Sequence, residues 1–139
     1  MRFKPRKPRA APGAPALGLP IGCGIDVVEL KRFQRAMRRG GARFLNRIFT
    51  AAERRYAATH ATKAERLAAR FAVKEAVIKA LAQVDPTRVL AMQQIEVRND
   101  TAGRPSVRVH AWPGRVPHLH ISLSHTPQVA VACAIAIRR

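Results

Sequence analysis

Apolar and polar residues alternate over residues 21–28, and this period of two predicts a β-strand. One face of the strand takes the odd-numbered residues, and the other takes the even-numbered ones, which include Gly22, Gly24 and Asp26. From about Glu29 the apolar spacing becomes helical. The chain therefore begins its ordered part with a strand that leads into a helix.

The middle of the chain keeps the helical period. Thr50 and Glu53 are spaced as a capping box, and Asp85–Pro86 is a stop signal for the last helix. The predicted helices are one from about Glu29 that is broken at Gly40–Gly41, one from Thr50 to about Ala58, and one from about Thr62 to Ala82.

The last third returns to a period of two. The predicted strands are residues 94–99, 106–110, 118–124 and 129–137, with a turn at residues 100–103. A strand, several helices and then antiparallel strands predict an α+β fold for residues 20–139.

Residues 1–19 are basic and rich in proline, alanine and glycine, and we expect a disordered cationic tail. Proline and glycine would break the helical core of a signal peptide there. The longest apolar run, residues 129–137, is too short to cross a bilayer, so we expect a soluble protein without a membrane partner. Cys23 and Cys133 form no CxxC pair, which favours a reducing, cytoplasmic location.

Composition adds a strong positive charge. The 139 residues include 26 Lys and Arg against 8 Asp and Glu, which gives a net charge of +18. This balance predicts a polyanionic partner, and nucleic acid is the default candidate. An acidic protein or a phosphorylated cofactor would satisfy the same field, so charge alone does not choose between them.

Two acidic residues stand in apolar surroundings. Asp26 lies in the middle of the first strand, where an unpaired carboxylate is costly to bury. Gly22 and Gly24 share its face and are expected to leave room for a ligand. The alternative is a salt bridge between Asp26 and one of the many arginines.

Glu75 lies on the almost wholly apolar stretch 72–82 of the long helix. An ordinary i,i+4 pair with Lys79 would explain it on a surface helix, but a buried helix requires a stronger reason for a carboxylate. Asp26 and Glu75 together could hold Mg²⁺, which takes one or two protein carboxylates and completes its shell with water and phosphate oxygens.

The histidines are weaker signals. His118 and His120 form an HxH pair, a weak zinc or copper motif without a third ligand at a telling spacing. The chain lacks the GxSxG elbow of serine hydrolases. His125, which follows Ser124 at a strand end, is the histidine expected to meet a ligand.

Three stretches taken together resemble one family. They are GIDVVELKRF (24–33), RFAVKEAVIKAL (70–81) and HISLSHTPQVAVACAIA (120–136), with RFLNRIFTAAE (43–53) and NDTAGRPSV (99–107) in order between them. Over about residues 20–139 the chain resembles the holo-[acyl-carrier-protein] synthases, which are small trimeric 4′-phosphopantetheinyl transferases. The pairing of the Asp-bearing strand with the KEA helix is the specific part of this resemblance.

The resemblance implies an enzyme that moves 4′-phosphopantetheine from coenzyme A to a serine of apo-acyl carrier protein and leaves adenosine 3′,5′-bisphosphate. It implies that Asp26 and Glu75 bind Mg²⁺, and that Lys79 neutralises diphosphate charge. Either a carboxylate or a metal-positioned water would take the serine proton. The implied coenzyme A residues are Arg70, Lys79, Gly103, Arg104, Pro105, Ser124 and His125.

The resemblance also implies a homotrimer with each active site between two subunits, and an acidic carrier protein that docks on the first helix. The candidate docking residues are Lys31, Arg32, Arg35, Arg38 and Arg39. Arg32 is the first of these candidates, and a solvated basic face is the alternative for any single arginine.

Two features depart from the family pattern. The tail through Leu19 is an addition, and residues 82–86 replace the Gly-Thr-Gly turn that commonly follows the central helix. The rival functions are an arginine-rich nucleic-acid-binding module and a non-catalytic carrier-protein adaptor. Few aromatic residues and no RNP, KH or homeodomain pattern count against the first, so no nucleic-acid partner is expected.

Overall fold

The computed structural model describes residues 20–139, so the expected tail at residues 1–19 lies outside the described residues. The elements are β1 (Ile21–Glu29), α1 (Leu30–Ile48), α2 (Ala51–Ala58), α3 (Lys63–Val84), a short 3₁₀ turn (Met92–Gln94), β2 (Ile95–Asn99), β3 (Pro105–Val109), β4 (His118–His125) and β5 (Val129–Ile137). The predicted α+β fold is confirmed, and the predicted element bounds agree to within about two residues.

Three antiparallel strands form the main sheet in the order β1-β5-β4. The first strand thus pairs with the last, and Asp26 lies opposite Ala132, which in turn lies opposite Leu123. The strands β2 and β3 form a separate antiparallel hairpin.

The helix boundaries follow from local chemistry. The hydroxyl of Thr50 accepts a hydrogen bond from the Glu53 amide (3.3 Å), and the Glu53 carboxylate accepts one from the Thr50 amide (2.8 Å). This confirms the predicted capping box of α2. The predicted break in α1 is also confirmed, since Gly41 has a φ of 52°, which lies in the region that favours glycine.

Helix α3 packs on the inner face of the main sheet and is buried along most of its length. The inner face of β5 carries only alanines, at positions 130, 132, 134 and 136, and all four are buried. Small side chains on the strand allow the helix axis to lie close to the sheet.

Gly22 and Gly24 bring β1 into direct contact with the backbone of α3. A Cβ atom added to Gly24 would lie 1.9 Å from the carbonyl oxygen of Ala76, and one added to Gly22 would lie 2.0 Å from that of Ala80. The prediction that this face leaves room for a ligand is therefore wrong, because the helix fills the space. The glycines instead allow the two elements that carry Asp26 and Glu75 to pack together.

The outer face of the main sheet is covered by no element of residues 20–139. The exposed apolar side chains on this face are Ile21, Ile25, Val27, Ile135 and Ile137. Among residues 20–139 no helix is long and apolar enough to cross a membrane.

Candidate active site

Lys79 and Asp26 join α3 to β1. The ammonium of Lys79 lies 2.8 Å from Asp26 Oδ1 and donates a second hydrogen bond to the carbonyl oxygen of Ile25 at 2.9 Å. The Asp26 side chain is 17% exposed, whereas that of Lys79 is 47% exposed. The strand carboxylate is thus partly buried beneath an ammonium that solvent and a ligand can reach.

Glu75 lies one helical turn before Lys79 and is partly buried. Burial raises the pKa of Glu75, the negative charge of Asp26 raises it further, and Lys79 partly lowers it. The ion pairs within residues 20–139 do not include Glu75, so the ordinary i,i+4 pair with Lys79 is not formed. The carboxylates of Asp26 and Glu75 therefore repel one another, and only that of Asp26 is paired with a cation.

This donor set fits Mg²⁺. Asp26 and Glu75 provide hard oxygen ligands, and their mutual repulsion is what a divalent cation would relieve. Within residues 20–139 no group of three or more potential ligands is present. A cation held here would therefore take its remaining ligands from water and a phosphorylated substrate, as Mg²⁺ commonly does.

Arg70 lies on the same helix, nearer its N-terminus, and is 6% exposed. Its guanidinium donates a hydrogen bond to Asn99 Oδ1 at 2.9 Å and stacks 4.1 Å from the centroid of the Tyr56 ring. Burial lowers the pKa of Arg70, and Tyr56 opposes this. The Nε atom is buried without a partner among the described residues, so one donor of Arg70 is unused.

Asn99 connects Arg70 to the β2–β3 turn, since its amide donates to the carbonyl oxygen of Gly103 at 3.0 Å. Asp100 rigidifies this turn by accepting from the backbone N–H groups of Ala102 and Arg104, at 2.9 and 2.8 Å. These bonds, with that from Arg104 Nε, hold the pKa of Asp100 below its ordinary value. Arg70 and the predicted residues Gly103, Arg104 and Pro105 thus form one connected region.

His125 and Ser124 at the end of β4 point to opposite faces of the sheet. By the strand alternation and register, His125 shares the inner face with Asp26, two strands away, whereas Ser124 lies on the outer face opposite Val131. Within one protomer the structure does not bring Ser124 together with Asp26. His118 and His120 also lie on the outer face and are exposed.

The basic surface of α1 follows the predicted residues. Lys31, Arg32, Arg35, Arg38 and Arg39 are all exposed, and none of them pairs with a carboxylate of residues 20–139. Arg32, Arg35 and Arg39 recur at i, i+3 and i+7, which places them on one face of the helix.

Sequence reasoning missed a buried ion pair. The ammonium of Lys74 lies 2.7 Å from Glu53 Oε2, and the two side chains are 0% and 1% exposed. Burial lowers the pKa of Lys74, and Glu53 opposes this. The available signals were a lysine inside an apolar helix and a capping-box glutamate, but nothing in the sequence indicated that they meet.

Comparison with known proteins gives a consistent result. A family model described as the 4′-phosphopantetheinyl transferase superfamily matches residues 22–136. A curated relative, the holo-[acyl-carrier-protein] synthase of Thermodesulfovibrio yellowstonii, is 42% identical over 114 residues, which cover 82% of this chain and 96% of the relative.

Solved structures agree with this match. The holo-(acyl-carrier-protein) synthase of Bacillus anthracis, solved in complex with CoA (3′,5′-ADP), has a TM-score of 0.71 and 33% identity, and covers 85% of this chain and 96% of its own. The Helicobacter pylori holo-[acyl-carrier-protein] synthase, solved in complex with coenzyme A, has a TM-score of 0.68 and 25% identity, and covers 84% of this chain and 99% of its own.

Proposed function

This chain belongs to the 4′-phosphopantetheinyl transferase superfamily, and from that membership we propose that it is a holo-[acyl-carrier-protein] synthase. It transfers 4′-phosphopantetheine from coenzyme A to a serine of apo-acyl carrier protein and releases adenosine 3′,5′-bisphosphate. The observation that carries the proposal is the packing of Asp26 on β1 against Glu75 and Lys79 on α3, because it assembles two carboxylates and an ammonium for a diphosphate.

Asp26 and Glu75 are the residues that would hold Mg²⁺. When bound, the metal supplies positive charge that stabilises the diphosphate oxygens during phosphoryl transfer. Lys79 is exposed enough to reach a phosphate oxygen, and its bond to Ile25 keeps its ammonium at the edge of β1. The proton of the acceptor serine would pass to a carboxylate of this site or to a water beside it.

Arg70 and the β2–β3 turn would bind the remainder of coenzyme A. The guanidinium of Arg70 would supply positive charge for a phosphate, and Asn99 holds it beside the turn that contains Gly103, Arg104 and Pro105. His125 lies on the same sheet face as Asp26 and is the remaining residue that we propose for coenzyme A binding within this protomer.

The exposed basic face of α1 would dock the acidic carrier protein. Arg32, Arg35 and Arg39 lie on one helical face and have no acidic partner within residues 20–139, so their charge is available to another protein. Such surface charges mainly accelerate association and select partners.

A homotrimer would bury the outer face of the sheet. Ile21, Ile25 and Val27 are 56%, 60% and 62% exposed on this face, an arrangement typical of an interaction surface. In such an assembly Ser124, which lies on the outer face, would serve the site of a neighbouring subunit. Free thiols at Cys23 and Cys133 are consistent with the reducing cytoplasm that we propose as the location.

The direct test incubates the protein with coenzyme A, MgCl₂ and a folded apo-acyl carrier protein, and follows the carrier by intact mass spectrometry. We expect one phosphopantetheine group per carrier, none when EDTA replaces MgCl₂, and none when the acceptor serine of the carrier is changed to alanine. An unchanged carrier mass in the complete reaction would refute the assignment.

A further inference from the structure

The buried ion pair between Lys74 and Glu53 adjoins the carboxylate site along the chain, because Lys74 and Glu75 are consecutive residues of α3. The Lys74 ammonium binds Glu53 Oε2 and the carbonyl oxygens of Ile48 and Met92, at 2.7, 2.7 and 3.1 Å. All three of its N–H donors are therefore used, although its side chain is 0% exposed.

The carboxylate of Glu53 is equally well bound. Besides Lys74, it accepts from the backbone N–H groups of Thr50 (2.8 Å) and Val97 (2.9 Å). The pair thus joins the end of α1, the start of α2, the 3₁₀ turn and β2 to one point on α3. No other polar contact of α3 connects so many elements within residues 20–139.

Much of the opposite side of α3 is packed against small residues of β1 and β5, and the larger Leu119, Ile121 and Leu123 of β4 pack against the same core. Gly22 and Gly24 contact its backbone, and the inner face of β5 consists of alanines. Small side chains interlock less deeply than large ones, so the glycine and alanine part of this interface restrains rotation of the helix about its axis less than larger side chains would. A buried ion pair adds little net stability but can select one arrangement among several.

We propose that the Lys74–Glu53 pair is a positioning device for the metal site. It fixes the rotation of α3 and thereby holds the Glu75 carboxylate towards Asp26. Consecutive residues of a helix are related by a fixed rotation, so any turn of α3 that moved Lys74 from its three acceptors would move Glu75 by the same angle. This inference rests on the proposed function, because it requires Asp26 and Glu75 to bind a divalent cation.

The test uses a pair of neutral replacements. Lys74→Met alone would leave Glu53 buried without a cation, which is strongly destabilising. The double variant Glu53→Gln with Lys74→Met removes both charges, and the amide oxygen at position 53 can still accept from Thr50 or Val97. Glu53→Gln alone keeps the bonds of Lys74 to backbone carbonyls and provides the same comparison if the double variant does not fold.

Ile95→Ala is the matched control. Ile95 is 0% exposed in β2, so its truncation lowers the melting temperature while both charges of the pair remain. Mn²⁺ binding to each protein with coenzyme A present is followed by electron paramagnetic resonance. Coenzyme A binding without metal is measured by calorimetry, and the MgCl₂ concentration for half-maximal transfer is determined in parallel.

We expect the double variant to bind Mn²⁺ about 10-fold or more weakly, as is found when groups that orient metal ligands are removed. Glu53→Gln should show a smaller loss in the same direction, and Ile95→Ala should bind Mn²⁺ like the wild type. Metal-free coenzyme A binding should also weaken in the double variant, because Arg70 and Lys79 lie on the same helix, and it should be unchanged in Ile95→Ala.

Wild-type Mn²⁺ binding in the double variant, or in Glu53→Gln when the double variant does not fold, overturns this inference while leaving the proposed function intact. Equal weakening in Ile95→Ala also overturns it, because general loosening of the fold would then suffice. A wild-type protein that neither binds Mn²⁺ nor transfers phosphopantetheine refutes the proposed function as well, so the two failures are distinguishable.

Discussion

Lys79 binds Asp26 on the neighbouring strand, with 2.8 Å between Nζ and Oδ1, although Glu75 lies only one turn away on its own helix. Lys79 therefore forms its ion pair with a residue of β1 and not with Glu75 on its own helix. The pKa of Glu75 remains raised by burial and by a second carboxylate, that of Asp26, which lies nearby. Repulsion of this kind costs stability in the free protein and is relieved when a cation binds.

Glu75→Gln is accordingly expected to abolish transfer and yet to raise the melting temperature at neutral pH. The loss of activity should exceed the roughly 10–100-fold that indirect partners of a metal cost, because a direct ligand is removed. Differential scanning fluorimetry without metal measures the melting temperature, and the mass assay measures the loss of transfer. Glu29→Gln, at the exposed end of β1, is the control and should change neither.

The stabilisation by Glu75→Gln should depend on pH in a defined direction. Because the pKa of Glu75 is raised on folding, the native protein binds this proton more readily than the unfolded chain, so ionisation of Glu75 costs stability as the pH rises through the raised pKa. The gain in melting temperature should be largest at neutral pH and should disappear at lower pH. A gain that grew on acidification would contradict this account.

Gly24→Ala is expected to lower both stability and activity. The new Cβ would lie 1.9 Å from a carbonyl oxygen of α3, so helix and strand must separate, at a cost of about 1–3 kcal/mol or more. The separation also moves Asp26 from Glu75, so transfer should fall further than stability alone explains. Urea denaturation measures the first effect, and the MgCl₂ dependence of transfer measures the second.

Cys23→Ala is the control for Gly24→Ala because it changes the adjacent residue on the exposed face of the same strand. It should leave the MgCl₂ dependence of transfer unchanged. If Gly24→Ala were as stable and active as the wild type, the proposed close packing of β1 on α3 would be wrong.

Charge reversal on α1 should weaken carrier-protein recognition only. Arg32→Glu combined with Arg35→Glu is expected to raise the KM for the carrier protein about 10-fold or more at low salt, with kcat and the KM for coenzyme A nearly unchanged. The difference from the wild type should shrink as salt screens the charges. Arg115→Glu, an equal charge change at an exposed position outside α1, should have little effect.

Ile25→Glu should dissociate the proposed trimer. The charge would be buried in an apolar interface formed by the outer face of the sheet, which is strongly unfavourable. Sedimentation velocity should show a monomer, and activity should fall if each site requires two subunits. Val89→Glu replaces a side chain that is 94% exposed in a loop and should leave the assembly unchanged. A monomeric wild-type protein would refute the proposal directly.

The secondary structure was largely predictable because it depends on local signals. The capping box of Thr50 and Glu53, the break at Gly41 and the period-two strands each act over a few residues, and the structure confirms them. Asp26 and Glu75 were also identifiable from the sequence, because a carboxylate in an apolar segment must be paired with a cation or hydrogen-bonded in any fold that buries it.

Contacts between distant segments were not predictable in the same way. The role of Gly24 was misread because the backbone that approaches it belongs to a helix about fifty residues later. The sequence indicated a cap at Glu53 but not its partner, since Lys74 reaches it only after four elements have packed together. The opposite orientations of Ser124 and His125 follow from strand alternation, but which face is covered depends on the packing of α3.

The pairing of β1 with β5 has a consequence for biosynthesis. Asp26 is synthesised early, but its pairing partner Ala132 on β5 follows it by about one hundred residues. Contacts of such long sequence separation form slowly and late. The carboxylate site therefore cannot assemble before β5 has been synthesised and has paired with β1, so we expect it to form late in folding.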